Sequence, residues 1–356
     1  MSRPGRLGYV DWMRGLAVLL MFQTHVYDSW LQPEAHHGFF FRWSRFFGGY
    51  PAVLFLFLAG LSLAFVAESR ITHGATPAHA AIEGARRGAE LFGYALLFRL
   101  WMFISGGFSR PRDLLRVDVL NCLGLSMSIV ACLCIGRSTA RRRLGAALGL
   151  ATSIALLTPL AWDGPWPEAM PRVVLAYVSG RPAGAFFPLF PWCAFVAAGA
   201  AAGGLLARHR QAGGEERTML GLAGVGASAI ASGILLDRLP QVYPRYDFWW
   251  TSPNYVAIKV GVALLILIIA WLWGRRPTAG HPSPLRQLGR TSLLVYWVHI
   301  EIVYGAVVAP WARQRLSLAG ASLGLLLLSL SMLALSAART RGFRRRAGGV
   351  IPGSAG

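Results

Sequence analysis

Apolar residues run in long blocks separated by short loops rich in Gly, Pro and Arg, and ten blocks are long enough to cross a bilayer as helices. They predict spans near 9–30, 48–67, 88–106, 119–136, 143–160, 185–206, 218–236, 253–273, 289–309 and 318–337. The longest loop, 161–184, is expected to carry a short interfacial helix rather than an eleventh span. The pattern therefore predicts an all-α, polytopic membrane protein of about ten transmembrane helices. One integral-membrane domain is expected over 1–340, followed by a basic cytoplasmic tail over 341–356.

Composition agrees: 55% of the 356 residues are hydrophobic, 14% are charged, and the mean hydropathy is +0.48. The first apolar block carries Arg14 and lacks a small-residue cleavage site, so it reads as a permanent helix. The net charge of +20 gathers in Arg clusters such as RSTARRR (137–143) and RTRGFRRR (339–346). With both termini cytoplasmic, the segments on that side hold about twice as many Arg as the opposite loops. A bacterial inner (cytoplasmic) membrane location follows as the expectation, with anionic lipid headgroups as partners of the Arg clusters. Basic residues in separate loops, without aromatic interleaving, argue against nucleic acid. Cys122, Cys132, Cys134 and Cys193 fall in predicted spans without zinc spacing, so buried free thiols and no metal are expected. Trp30, Trp43, Trp162, Trp166, Trp249, Trp250 and Trp311 fall at outer span ends, as an interfacial belt would.

Polar residues inside the spans carry the candidate chemistry. Asp11, Arg14, His25 and Asp28 share a stripe of the first span, DWMRGLAVLLMFQTHVYDSW. Arg14 and His25 stand about 16 Å apart along the helix axis. Charge inside a bilayer is costly, so such a stripe faces a cavity or a partner helix. His299 lies near the middle of the ninth span, on one face with Ser292 and Tyr296, while Glu301 points elsewhere. Lys259 sits about 9 Å into the eighth span. Asp118 reads as the N-cap of the fourth span, with Asn121 one turn on, and Arg99 as a snorkelling structural residue. His36 and His37 lie with Glu34 in the loop QPEAHHGFFFRW. PLFPW (188–192) marks a helix start or kink, and His73, His79, His209 and His281 are expected to be solvated.

Four segments occur in order: DWMRGLAVLLMFQTH (11–25), LFLFLAGLSLAF (54–65), FPLFPWCAFVAAGAAAG (187–203) and LGRTSLLVYWVHIEIVYG (288–305). Together the chain resembles the heparan-α-glucosaminide N-acetyltransferase catalytic-domain family in its short bacterial form. The first span is also similar to the acyltransferase-three pattern, an Arg followed after ten residues by a His, here Arg14 and His25. The resemblance implies transfer of an acyl group, most simply acetyl, from cytoplasmic acyl-CoA to a sugar or glycan acceptor across the membrane. The chain departs from the lysosomal enzyme in lacking its long luminal N-terminal domain. In that enzyme Asn stands where His25 is, and the catalytic His follows in the next loop. The choice among His25, His36 and His37 therefore stays open.

On this reading Arg14, beside Asp11, would grip a coenzyme A phosphate bidentately, with Lys259 and Asn121 as further donor-binding candidates. His25, its tautomer fixed by Asp28, would act as general base or transient acyl carrier. His37 and His299 are the other catalytic candidates. A proton-coupled transporter or lipid-linked sugar flippase is the rival, with His299 and Glu301 at the midplane. A third reading is a membrane partner that has lost catalysis. A homodimer stays open.

Overall fold

A computed structural model describes residues 7–106, 114–167, 170–182, 185–245, 247–276, 282–305 and 309–348, with side chains to residue 341. His281 and the last eight residues of the basic tail lie outside them. In chain order the helices are α1 (Gly8–Trp30), α2 (Phe39–Gly48), α3 (Pro51–Thr72), α4 (Pro77–Ser105), α5 (Val119–Val130), α6 (Ala140–Asp163) and α7 (Arg172–Val178). There follow α8 (Leu189–Gln211), α9 (Glu215–Leu236), α10 (Pro253–Gly274), α11 (Pro284–Arg290), α12 (Ser292–Tyr304), α13 (Ala309–Ala312) and α14 (Leu318–Gly348). Among the described residues, β-pairing is confined to isolated bridges at Leu31–Leu316 and Val117–Ala185.

A helix occupies each of the ten expected apolar blocks, and α7 is the short helix expected in the longest loop. Among the described residues, seven helical stretches are long and apolar enough to cross a membrane. Two others, Val119–Ile135 and Ser292–Tyr304, are apolar but shorter. With 23 residues α1 is long enough, so its absence from the seven reflects its polar stripe. Three departures stand out. The expected loop after α1 is a 3₁₀ turn (Pro33–His37) and the helix α2. The ninth block is two helices, because Thr291 leaves helical geometry between α11 and α12. Helix α14 continues to Gly348, into the expected tail.

Local chemistry sets several helix starts. Thr76, Thr139 and Ser283 accept backbone N–H groups three residues on, and Asp118 with Asn121 forms a capping box on α5. Such caps satisfy donors that a helix start leaves unpaired.

The chain divides into two compact units, Met1–Pro51 with Ala270–Gly356, and Ala52–Ile269. In the first, α1 packs against α2, α11, α12, α13 and α14, and it is buried on most of its circumference. A Cβ on Gly15 would collide with the Leu285 carbonyl, and one on Gly289 with the Asp11 carbonyl. Only glycine permits this approach of α1 and α11. The C-terminal end of α1 is clamped as well. Leu316 N–H donates to the Trp30 carbonyl at 3.0 Å, and the Trp30 indole N–H donates to the Val303 carbonyl at 3.3 Å. Trp30 is therefore a core residue, not a member of the belt, because its N–H finds a partner inside. The break at Thr291 is covered by α14: the Thr291 hydroxyl lies 2.6 Å from that of Ser336, which donates to the Gln287 carbonyl at 2.9 Å. Side-chain hydroxyls of this kind make irregular backbone tolerable in an apolar setting.

In the second unit, Gly60, Gly199 and Gly203 bring α3 and α8 into backbone contact. Arg143 grips Glu68 with two bonds of 2.7 and 2.8 Å, both residues being buried. Arg99 does not snorkel; it pairs with the capping carboxylate of Asp118. Three cysteines are buried as expected, whereas Cys132 is exposed on the π-helical turn Ala131–Ile135 after α5.

Removing one partner of a buried ion pair strands the other. Glu68→Ala is therefore expected to cost about 3–5 kcal/mol, whereas Arg70→Ala, which breaks the exposed Arg70–Glu83 pair, costs at most about 1 kcal/mol. Thermal melts of the detergent-solubilised variants check both.

Candidate active site

Helix α1 carries His25 about one and a half turns from its C-terminal end, and α12 packs against α1. His25 Nδ1 lies 2.9 Å from His299 Nε2, and the two rings stack with centroids 5.2 Å apart and planes 6° from parallel. Phe22, Tyr296 and Tyr304 wall the pair, with ring centroids 4.9 and 5.7 Å from His299 for the first two and 5.4 Å from His25 for Tyr304. His299 is fully buried.

The hydrogen bonds assign the tautomers. His299 Nδ1 lies 2.9 Å from the Val295 carbonyl, which can only accept, so Nδ1 carries the proton. In a neutral ring Nε2 is then the acceptor, and His25 must donate its Nδ1–H to it. Neutral His25 is left with an unprotonated Nε2. The arrangement repeats the logic of a catalytic triad, a histidine whose proton and orientation are set by a group behind it, with His299 where a carboxylate usually stands.

Asp28 does not fill that role. Its carboxylate faces Arg45 of α2 at 3.0 Å, at an exposed position. Proximity in sequence suggested Asp28, but a residue 274 positions away takes the place. His37 is exposed on the 3₁₀ turn, and His36 stacks on Phe41 with centroids 4.3 Å apart. At the other end of α1, the buried Asp11 carboxylate pairs with the Arg14 guanidinium at 3.6 Å and lies 3.9 Å from that of Arg290 of α11. Arg290 was not foreseen; its signal in the sequence is only a basic residue beside Gly289, and the α1–α11 crossing supplies the rest.

The remaining candidates belong to the second unit or point away. Buried Asn121 serves the capping box, and its amide reaches the Tyr177 hydroxyl at 3.4 Å. Lys259 is buried with its ammonium 5.1 Å from the Tyr255 ring centre, a cation–π placement. The Glu301 carboxylate folds back over Gly305. His73, His79 and His209 are all exposed, as expected, with the Ser69 carbonyl, Glu83 and the Thr218 hydroxyl (2.8 Å) as their partners.

A family model described as heparan-alpha-glucosaminide N-acetyltransferase, catalytic, matches residues 6–230. The chain belongs to this family. Membership makes it a multi-pass membrane protein of an acetyltransferase family. The matched segment includes Asp11, Arg14, His25, Asp28, His37 and Asn121, while Lys259, Arg290 and His299 lie beyond it. No characterised protein matched the chain in a direct sequence comparison.

The geometry predicts unequal consequences for the two candidate partners of His25. Asp28→Ala, losing an exposed ion pair, should change stability by no more than about 1 kcal/mol. His299→Phe keeps the ring but strands the His25 Nδ1–H, at about 1–3 kcal/mol. Chemical denaturation of the two variants tests the order.

Proposed function

We propose that this protein moves an acetyl group from acetyl-CoA to a sugar or glycan acceptor, with His25 as general base. The observation that carries the reading is the His25–His299–Val295 relay, which leaves a lone pair on His25 Nε2 in a member of an acetyltransferase family. An acceptor amine or hydroxyl placed at Nε2 would give up its proton there as its own lone pair attacks the thioester carbonyl. The tetrahedral intermediate then expels the coenzyme A thiolate, and the proton held on His25 neutralises it. His299 is a positioning residue in this scheme, since it touches His25 and not the reacting atoms. The same lone pair would attack the thioester itself in an acyl-enzyme route.

Arg14 and Arg290 both face the Asp11 carboxylate, so two guanidinium groups meet at the N-terminal end of α1. Phosphates of the donor suit this site, since a guanidinium can donate two parallel N–H bonds to phosphate oxygens. A donor gripped there extends about 16 Å along α1 to reach His25. The donor would then enter from the cytoplasm and the acceptor from the opposite face, in a bacterial inner membrane.

Purified protein in nanodiscs, given radiolabelled acetyl-CoA and glucosamine, tests the proposal. His25→Ala should lower kcat by about 10²–10⁴-fold, while Asp28→Ala and His37→Ala stay within a few-fold of the wild type. Turnover that survives His25→Ala, or vanishes with His37→Ala, would overturn the assignment. No turnover by the wild type would favour a transporter, for which the helix break at Thr291 is a familiar device.

A further inference from the structure

Helix α2 presents an aromatic face that no described part of its own unit covers. Phe39, Phe40, Trp43, Phe46 and Phe47 fall within an arc of about 120° at 100° per residue, and they are 45–69% exposed. The opposite face is engaged by the end of α1. Gln23 donates to the buried Ser44 hydroxyl, Thr24 sits against Gly48, and Asp28 pairs with Arg45 at 3.0 Å. All three contacts lie within three residues of His25, and Tyr27 meets Phe40 edge-on at 5.2 Å. The stripe and the candidate base therefore belong to one rigid corner.

The chemistry of the stripe names its occupant. Large aromatic rings flanked by exposed Arg42 are the composition of a helix lying in a bilayer interface, rings toward the acyl chains and guanidinium toward phosphate. Ten residues rise only about 15 Å, too little to span. The apolar stretch that starts at Phe39 runs on to Thr72, 34 residues in all. It is broken between α2 and α3 at Gly49 and Tyr50, and the 22 residues of α3 alone rise about 33 Å, enough to cross a hydrocarbon core of about 30 Å without α2. The aromatic, Arg-bearing end suits the headgroup boundary.

We propose that α2 is an in-plane membrane-interface helix that delivers a lipid-anchored acceptor, an amphiphile with a sugar head, to His25. The delivery rests on the acetyltransfer reading above; the placement of α2 in lipid does not. An amphiphile held beside the stripe would present its head at the level of the last turns of α1, while its chain stays in the bilayer.

Two measurements test the two halves. A spin label on Phe39→Cys in a Cys132→Ser background, reconstituted in phosphatidylcholine–phosphatidylglycerol vesicles, should collide with oxygen more than with a water-soluble nickel chelate. A label on Glu34→Cys should show the reverse. Nickel-dominated collisions at position 39, or dipolar coupling between labels of two copies, would overturn the lipid assignment, the second by making the face a dimer contact. For delivery, wild type in nanodiscs should have a KM for dodecyl glucosaminide at least about tenfold below that for glucosamine, since a buried alkyl chain concentrates the acceptor. The Phe39→Ser/Phe47→Ser double variant should lose that preference with the glucosamine KM unchanged. Equal KM values in the wild type, or equal losses on both acceptors in the variant, would overturn it. Absence of any transfer by the wild type would overturn the acetyltransfer reading and the delivery with it, leaving the spin-label result standing alone.

Discussion

A polar group inside an apolar helix bundle has to find its partner within the chain, because water is not there to supply one. Helix α1 is where this constraint presses hardest. It is buried on most sides and yet carries Asp11, Arg14, Gln23, Thr24 and His25. Each is answered by something specific: Arg14 and Arg290 for Asp11, Ser44 for Gln23, the Leu20 carbonyl for Thr24, His299 for His25. The helices packed around α1 are held in place as much by these answers as by apolar contact, since lipid offers apolar contact equally well.

The consequences run outward from there. For Asp11 to reach Arg290, α11 must approach to backbone distance, which Gly15 and Gly289 allow. For His299 to face His25, α12 must start afresh after Thr291, and the loosened backbone is satisfied by Ser336 of α14. The proposed chemistry depends on the same bonds. A histidine whose Nδ1–H is committed to one acceptor has a fixed ring and a defined lone pair, and fixed geometry is what general base catalysis draws on. Stability and reactivity at this corner are one arrangement.

Much of this was legible in the sequence. Apolar block length placed the ten main helices, and the exclusion of charge from bilayers singled out the α1 stripe and His299 as residues in need of partners. What stayed hidden was pairing. Asp28 was favoured for His25 because it lies three residues away, yet Arg45 claims it, and the true neighbour is set by how α12 docks. The segment after α1 read as a loop because FFFRWSRFF is too short for a span and too aromatic for a typical surface helix. Its helical stripe appears only at 100° per residue. Arg99 and Trp30 were assigned to the membrane surface by composition, and both turned inward when a carboxylate and a carbonyl were at hand.

The state of one ring carries the central claim. Solid-state NMR of ¹⁵N-histidine-labelled protein in bilayers, with His25 assigned by subtraction of a His25→Asn spectrum, reads both ring nitrogens directly. A protonated, pyrrole-type Nδ1 and an unprotonated, pyridine-type Nε2 on His25 is the predicted result, and in His299→Asn that preference should weaken. The opposite tautomer, with the proton on Nε2, would contradict it.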